Sequence, residues 1–219
     1  MKKRCYLPML MTAVMIFGTA ASGCGQTNDE PPESSSQETT SSAAMTEEED
    51  EMYDNSAVVA AYKSKDPSGL TDYDMAIYNA ASTAIGEFYS EWMSELEAVL
   101  AAHDYIVTHV TYDTEELSLL GGHAEDSVSP YGALIDGKAI CSGYTTSFQL
   151  FMDMLGIESM IVSGEALDEE HAWNMVCIDE KWYHVDCTWD DYVPDYDGRP
   201  PMHLYFLVTD SLMKIQHIW

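Results

Sequence analysis

The feature that most constrains this chain is a pair of short strand-like runs, Ala172 to Ile178 and Lys181 to Cys187, with only Asp179-Glu180 between them. A two-residue connection predicts a tight hairpin. Such a hairpin sets its own register. Ile178 pairs with Lys181 and, counting back, Trp173 pairs with Asp186. Side chains alternate across a strand, so His171, Trp173 and Met175 share one face with His184 and Asp186. His171 and Asp186 then become diagonal neighbours within side-chain reach. A slip of one residue sends them to opposite faces. Glu180 is the awkward residue, because turns of this kind favour glycine at that position.

A histidine held by a carboxylate has a fixed tautomer and a stabilised imidazolium, as a catalytic base requires. The matching nucleophile is Cys141, in Asp136-Gly137-Lys138-Ala139-Ile140-Cys141-Ser142-Gly143-Tyr144. It opens an amphipathic segment with Tyr144, Phe148, Phe151, Met152 and Leu155, and Gly156 follows as the expected C-terminal cap. Backbone N–H groups at a helix start favour an anion, the form in which cysteine attacks. The plainer reading of Cys141 is a small buried hydrophobe. Gly137 and Gly143 weigh against it, since they permit the tight turn and close backbone approach of a nucleophile loop. His184 competes with His171 as base. Asp190 and Asp191 compete with Asp186, although as loop residues they are better suited to binding backbone amides. Trp173, Trp182 and Trp189 are expected to wall the site and the core. Cys177 faces Trp182 in this register, cannot bridge Cys187, and is read with it as a free thiol.

Around this centre the chain divides into four parts. Residues 1–24 have the pattern of an export signal: Lys2, Lys3 and Arg4, then an apolar run from Leu7 to Phe17, then small residues. The run is too short to span a membrane. Ala21-Ser22-Gly23-Cys24 resembles a bacterial lipoprotein processing box, with Ala21 departing from the usual leucine. That resemblance implies lipid on Cys24 and a secreted chain anchored to the outer face of the cytoplasmic membrane, with no other membrane contact. Residues 25–55 are rich in Ser, Thr, Glu and Asp with no Lys or Arg, too polar to fold, and read as a tether. Residues 56–94 form an N-terminal helical region. Its first stretch, Ser56 to Lys65, is open between helix and strand. Thr71 with Asp74 and Ser94 with Glu97 mark helix starts. Residues 95–219 form the functional domain. It opens on a helix with Leu96, Val99, Leu100, His103, Ile106, Val107 and Val110 on one stripe, where His103 is expected as a satisfied core histidine. Loops are expected from Tyr112 to Pro130 and from Gly164 to Glu170, strands from Glu158 to Ser163 and from His203 to Val208. No closing element is evident between Ser211 and Trp219.

The formal net charge of -29 excludes nucleic acid as a partner, because no basic patch could compete for phosphates. No CxxC or HxxxH pair occurs, so neither a metal nor a cofactor is expected.

The three separated segments, with His171-Ala172-Trp173-Asn174 and Trp182-Tyr183-His184-Val185-Asp186-Cys187-Thr188-Trp189-Asp190 following the Cys141 segment, resemble the transglutaminase-like superfamily of cysteine enzymes. His103-Asp104-Tyr105, Tyr205-Phe206 and Asp210 also fit. The resemblance implies a papain-like α+β fold with the nucleophile on a central helix packed against an antiparallel sheet. It implies Cys141 as nucleophile, His171 as base and Asp186 as orienting carboxylate, with Tyr144, Trp173 and Trp189 lining the site. The expected activity is thiol-dependent acyl transfer on a peptide or protein amide, with hydrolysis favoured over transamidation. The competing reading is a non-catalytic binding module on the same scaffold. The oxyanion donor is open beyond the Cys141 backbone N–H.

Overall fold

The computed structural model describes residues 52–117, 125–192 and 199–219. The expected signal, Cys24 and most of the tether lie outside the described residues. No helix among the described residues is long and apolar enough to cross a membrane. The tether was expected to reach Asn55, yet the folded part begins before that residue. Tyr53 donates to the Asp74 carboxylate, and buried Asn55 donates through Nδ2 to the Thr146 carbonyl at 2.9 Å.

Three helices come first. α1 spans Ser56–Ser64, α2 Asp72–Phe88 and α3 Glu95–His109. Their starts follow local capping chemistry. The Thr71 hydroxyl accepts from the Asp74 N–H, and Ser94 and Glu97 form a reciprocal capping box. Gly86 does not interrupt α2, but the helix ends at Phe88, and Trp92 lies beyond it at 94% exposure. On α3, Val99, His103, Ile106 and Val107 are buried, while Leu96 in the first turn is exposed.

The expected loop after α3 is partly ordered. β1 (Thr111–Tyr112) pairs in parallel with β2 (Lys138–Ala139), and α4 covers Thr114–Leu117. A π-helical turn over Gly132–Asp136 ends at Gly137 in a left-handed conformation, φ 70°. This delivers the chain to α5, Cys141–Leu155. Tyr144, Phe148, Leu150, Phe151 and Met152 are fully buried around nearly the whole circumference of α5, which marks it as the central helix. Gly156, at φ 71°, caps it as expected.

Against α5 lies a fully antiparallel five-stranded sheet among the described residues, in the order β6-β5-β4-β3-β7. The strands are β3 Ser159–Ala166, β4 Glu169–Ile178, β5 Lys181–Val185, β6 Phe206–Val208 and β7 His217–Ile218. Two short helices interleave: α6 Cys187–Asp190 and α7 Asp210–Met213. This is the expected α+β, papain-like arrangement.

The β4–β5 register is the one predicted, running from Ile178↔Lys181 to Asn174↔Val185. Asp179 and Glu180 both hold positive φ, at 51° and 65°, as a type I′ turn demands. Several boundaries differ from expectation. The supposed acidic loop Gly164–Glu170 is instead a second tight hairpin, with Leu167 and Asp168 at φ 52° and 68°. Without glycine or asparagine at its turn, its sequence carried no hairpin signal. β5 stops at Val185 because the Asp186 side chain turns to cap α6, accepting from the Trp189 N–H. Trp173↔Asp186 is therefore not a ladder pair. The segment after Ser211, expected to hold no element, contributes β7. Cys177 is disulfide-bonded and is not the free thiol expected, whereas Cys141 and Cys187 are free.

Candidate active site

Cys141 is the first residue of α5. Its N-cap, Ile140, offers no side-chain acceptor, so the Cys141 and Ser142 N–H groups face outward from the helix start without an intrahelical partner. The loop around it is fixed by Gly143. A Cβ there would lie 2.6 Å from the Ala139 Cβ and 2.7 Å from the Ser127 carbonyl oxygen. Only glycine allows this approach without displacing backbone.

His171 and Asp186 arrive from the hairpin. His171 Nε2 donates to Asp186 Oδ2 at 2.8 Å, and the His171 side chain is 7% exposed. The carboxylate is an acceptor only, so Nε2 carries a proton. Burial opposes a charged imidazole at His171. The hydrogen bonds to Asp186 and to Cys141, with their charges, outweigh it and push its pKa up to about 10. Asp186 is wholly buried, which by itself would raise its pKa. The His171 and His217 hydrogen bonds and the Trp189 N–H reverse this and hold it below the usual carboxylate range.

The helix and the hairpin are locked to each other by a reciprocal pair of buried hydrogen bonds. The Thr145 hydroxyl, one turn after Cys141, donates to the Ala172 carbonyl at 2.9 Å, beside His171. The Asn174 side chain donates back to the Thr145 carbonyl at 3.2 Å. The asparagine of His171-Ala172-Trp173-Asn174 therefore sets the separation between the elements that carry Cys141 and His171.

Trp173 and Trp189 flank His171, with ring centroids 5.8 Å from it in each case. Tyr144, expected on the wall, is instead fully buried and donates to Asp191 Oδ2 at 2.6 Å. It sits on the same side of α5 as Cys141, and Tyr112 packs near it at 6.2 Å between ring centroids. Burial, then the charges of Cys141, Glu169 and Asp186, raise the Tyr112 hydroxyl above its ordinary value, so it remains a donor.

The competing residues are otherwise engaged. His184 Nδ1 accepts from the Trp173 indole at 2.9 Å, and His184 Nε2 donates to Asp210 at 3.2 Å. Burial lowers its pKa, so it is a neutral spacer with no free nitrogen. Asp190 binds the Leu204 and Tyr205 N–H groups, as a carboxylate in its position was expected to do. Cys187 is buried, and burial, then the surrounding carboxylates, push its thiol far up.

His217 was missed. It approaches from β7, and its Nε2 donates at 3.2 Å to the same Asp186 oxygen that His171 uses. Its ring packs 4.4 Å from Trp189 and 4.9 Å from Trp173. The two residues of β7 gave no periodicity to read. Among the described residues, two groups each bring three donor atoms within 4.8 Å of one another: His171, Asp186 and His217, and separately His103, Asp104 and His203.

Residues 83–187 match the profile of the Transglutaminase-like superfamily, a span that includes Cys141, His171 and Asp186. Kyphoscoliosis peptidase of Mus musculus is 25% identical over 159 residues, covering 65% of this chain and 24% of the mouse protein. Its Homo sapiens counterpart is 25% identical over 123 residues, covering 51% of this chain and 18% of the human protein. The chain thus spans a quarter or less of the relatives it matches. A crystal structure of a TGase superposes with a TM-score of 0.46 at 21% identity, covering 64% of this chain and 39% of that one. Over residues 83–187, just under half of its length, the chain is similar to the transglutaminase-like superfamily.

Proposed function

We propose that the chain catalyses thiol-dependent acyl transfer on peptide or protein amides, with water as the acceptor, and that Cys141, His171 and Asp186 are its nucleophile, base and orienting carboxylate. The observation that carries this reading is the position of His171, hydrogen-bonded through Nε2 to Asp186 at 2.8 Å and held charged by Asp186 and Cys141 together. His171 Nδ1 takes the Cys141 proton. The sulfur attacks the amide carbonyl, and the carbonyl π pair moves to oxygen. The Cys141 N–H and the Tyr112 hydroxyl are the donors for that oxyanion. The imidazolium returns its proton to the departing amine as the C–N bond breaks, leaving a thioester. His171 then deprotonates water, which attacks the thioester. The carboxylic acid leaves, and the thiol is restored. Trp173 and Trp189 shield the imidazolium and support its orientation.

The same reading takes a peptide or protein as the substrate.

The test incubates the full chain with unfolded casein, with and without a fluorescent primary amine. New amino or carboxyl groups report hydrolysis, fluorescence on the protein reports transamidation, and released ammonia reports acylation by a side-chain amide in either case. Cys141→Ala should abolish these signals while leaving the circular dichroism unchanged. Retained turnover in that variant would overturn the assignment.

A further inference from the structure

His103, Asp104 and His203 lie outside the catalytic arrangement and form a cluster that nothing in the acyl-transfer chemistry requires. His103 and Asp104 are neighbours on α3, and His203 comes from the segment before β6. His103 Nδ1 and His203 Nε2 converge on the same oxygen, Asp104 Oδ1, at 2.9 and 2.7 Å. The other face of His103 is committed inward. Its Nε2 donates at 3.2 Å to Asp190 Oδ2, a wholly buried carboxylate that also accepts from the Leu204 and Tyr205 N–H groups. With Nε2 committed to Asp190, Nδ1 is the nitrogen turned toward Asp104 and His203, and a cation bound there takes the place of the proton that Nδ1 now gives to Asp104. That is the arrangement which orients metal-binding histidines.

The near side has what a ligand set needs. Two imidazole nitrogens and one carboxylate oxygen converge within 4.8 Å. Asp104 and His203 side chains are 34% and 40% exposed, which leaves an entry path and room for a further ligand. Phe206 closes the inner side, with ring centroids 5.0 Å from His103 and 5.7 Å from His203.

We propose that His103 Nδ1, Asp104 Oδ1 and His203 Nε2 bind a divalent cation of the zinc type, with solvent as its fourth ligand. The ligand set is of the mixed imidazole and carboxylate kind that zinc accepts. Metal–ligand bonds of about 2.0–2.1 Å in a tetrahedron put neighbouring donors about 3.4 Å apart. The pairs at 2.7–2.9 Å must therefore open by roughly half an ångström, which the half-exposed His203 and Asp104 side chains can supply. The cation would tie α3 to the segment before β6. That segment also touches the catalytic carboxylate's neighbourhood, since the Asp186 N–H donates to the Tyr205 carbonyl at 3.1 Å. The absence of HxxxH spacing hid the site, because His203 is remote in sequence from His103 and Asp104.

The test titrates the full chain carrying Cys141→Ala with Zn²⁺ by calorimetry, so that the reactive thiol does not compete. The expected result is one equivalent bound, lost or weakened at least tenfold by His203→Ala and by Asp104→Asn. His217→Ala, which removes a donor from the other histidine cluster, should leave that equivalent in place. X-ray absorption should give a nitrogen and oxygen shell without sulfur. No bound equivalent, or one that survives His203→Ala but is lost in His217→Ala, overturns the proposal.

Discussion

At the scale of single residues, the site turns on how His171 is charged. Asp186 and Cys141 together push it up to about 10, well above the ordinary value for histidine. In the proposed reaction the imidazolium is the acid that protonates the departing amine, so activity falls as pH rises through the pKa of His171. The alkaline limb of kcat/KM should therefore lie near pH 10 in the parent chain. Asp186→Asn removes the charge that supports the imidazolium. Steady-state profiles should then show the limb moving down toward about 6.5 and kcat reduced by about 10³–10⁴-fold. An unmoved limb would detach Asp186 from the base. Tyr112→Phe removes only a hydroxyl. It should lower kcat by about 10–100-fold with KM little changed, as expected for a donor that acts on the oxyanion rather than on bound substrate.

At the scale of elements, the distance between α5 and the β4–β5 hairpin is held by Thr145 and Asn174. Asn174→Ala leaves the buried Thr145 carbonyl without that donor, at a cost of about 1–3 kcal/mol in urea denaturation. The kinetic loss should exceed what the stability loss accounts for, because a misplacement of about 1 Å between reacting groups costs about 10²-fold. Equal activity at full folding would refute this positioning role. The same region shows what a sequence makes legible. The β4–β5 register followed from a two-residue gap and strand alternation, and it brought His171 to Asp186. The start of α5 followed from glycines and an amphipathic run, and the capping pairs Thr71–Asp74 and Ser94–Glu97 marked two helices. The Leu167–Asp168 turn was hidden because a type I′ geometry there is held by neighbouring strand pairing rather than by turn residues. Asp186 read as strand because capping of α6 depends on where the ladder ends. His217 was invisible, since a two-residue edge strand is specified only by the β3 edge it meets. The Gly164 backbone is where that edge comes closest: a Cβ would lie 2.1 Å from the Ile218 carbonyl oxygen.

At the scale of the whole molecule, buried titrating groups tie stability to pH in two directions. The folded pKa of His171 is raised, so its contribution is complete below about 6.5 and is lost as pH climbs through about 10. The folded pKa of Asp186 is lowered, so its contribution is present above the ordinary carboxylate range and is lost as pH falls through the folded value. Denaturation midpoints measured from pH 6 to 10 should decline in the parent chain, and His171→Ala should flatten that decline. The central claim is that Cys141 is activated by His171, and the rate of iodoacetamide alkylation at pH 7, followed by mass spectrometry, tests it most directly. Buried Cys187 serves as the internal unreactive thiol. Cys141 should be alkylated far faster than Cys187 in the parent chain and at least tenfold more slowly in His171→Ala than in the parent. Equal Cys141 rates in the two chains would contradict the account.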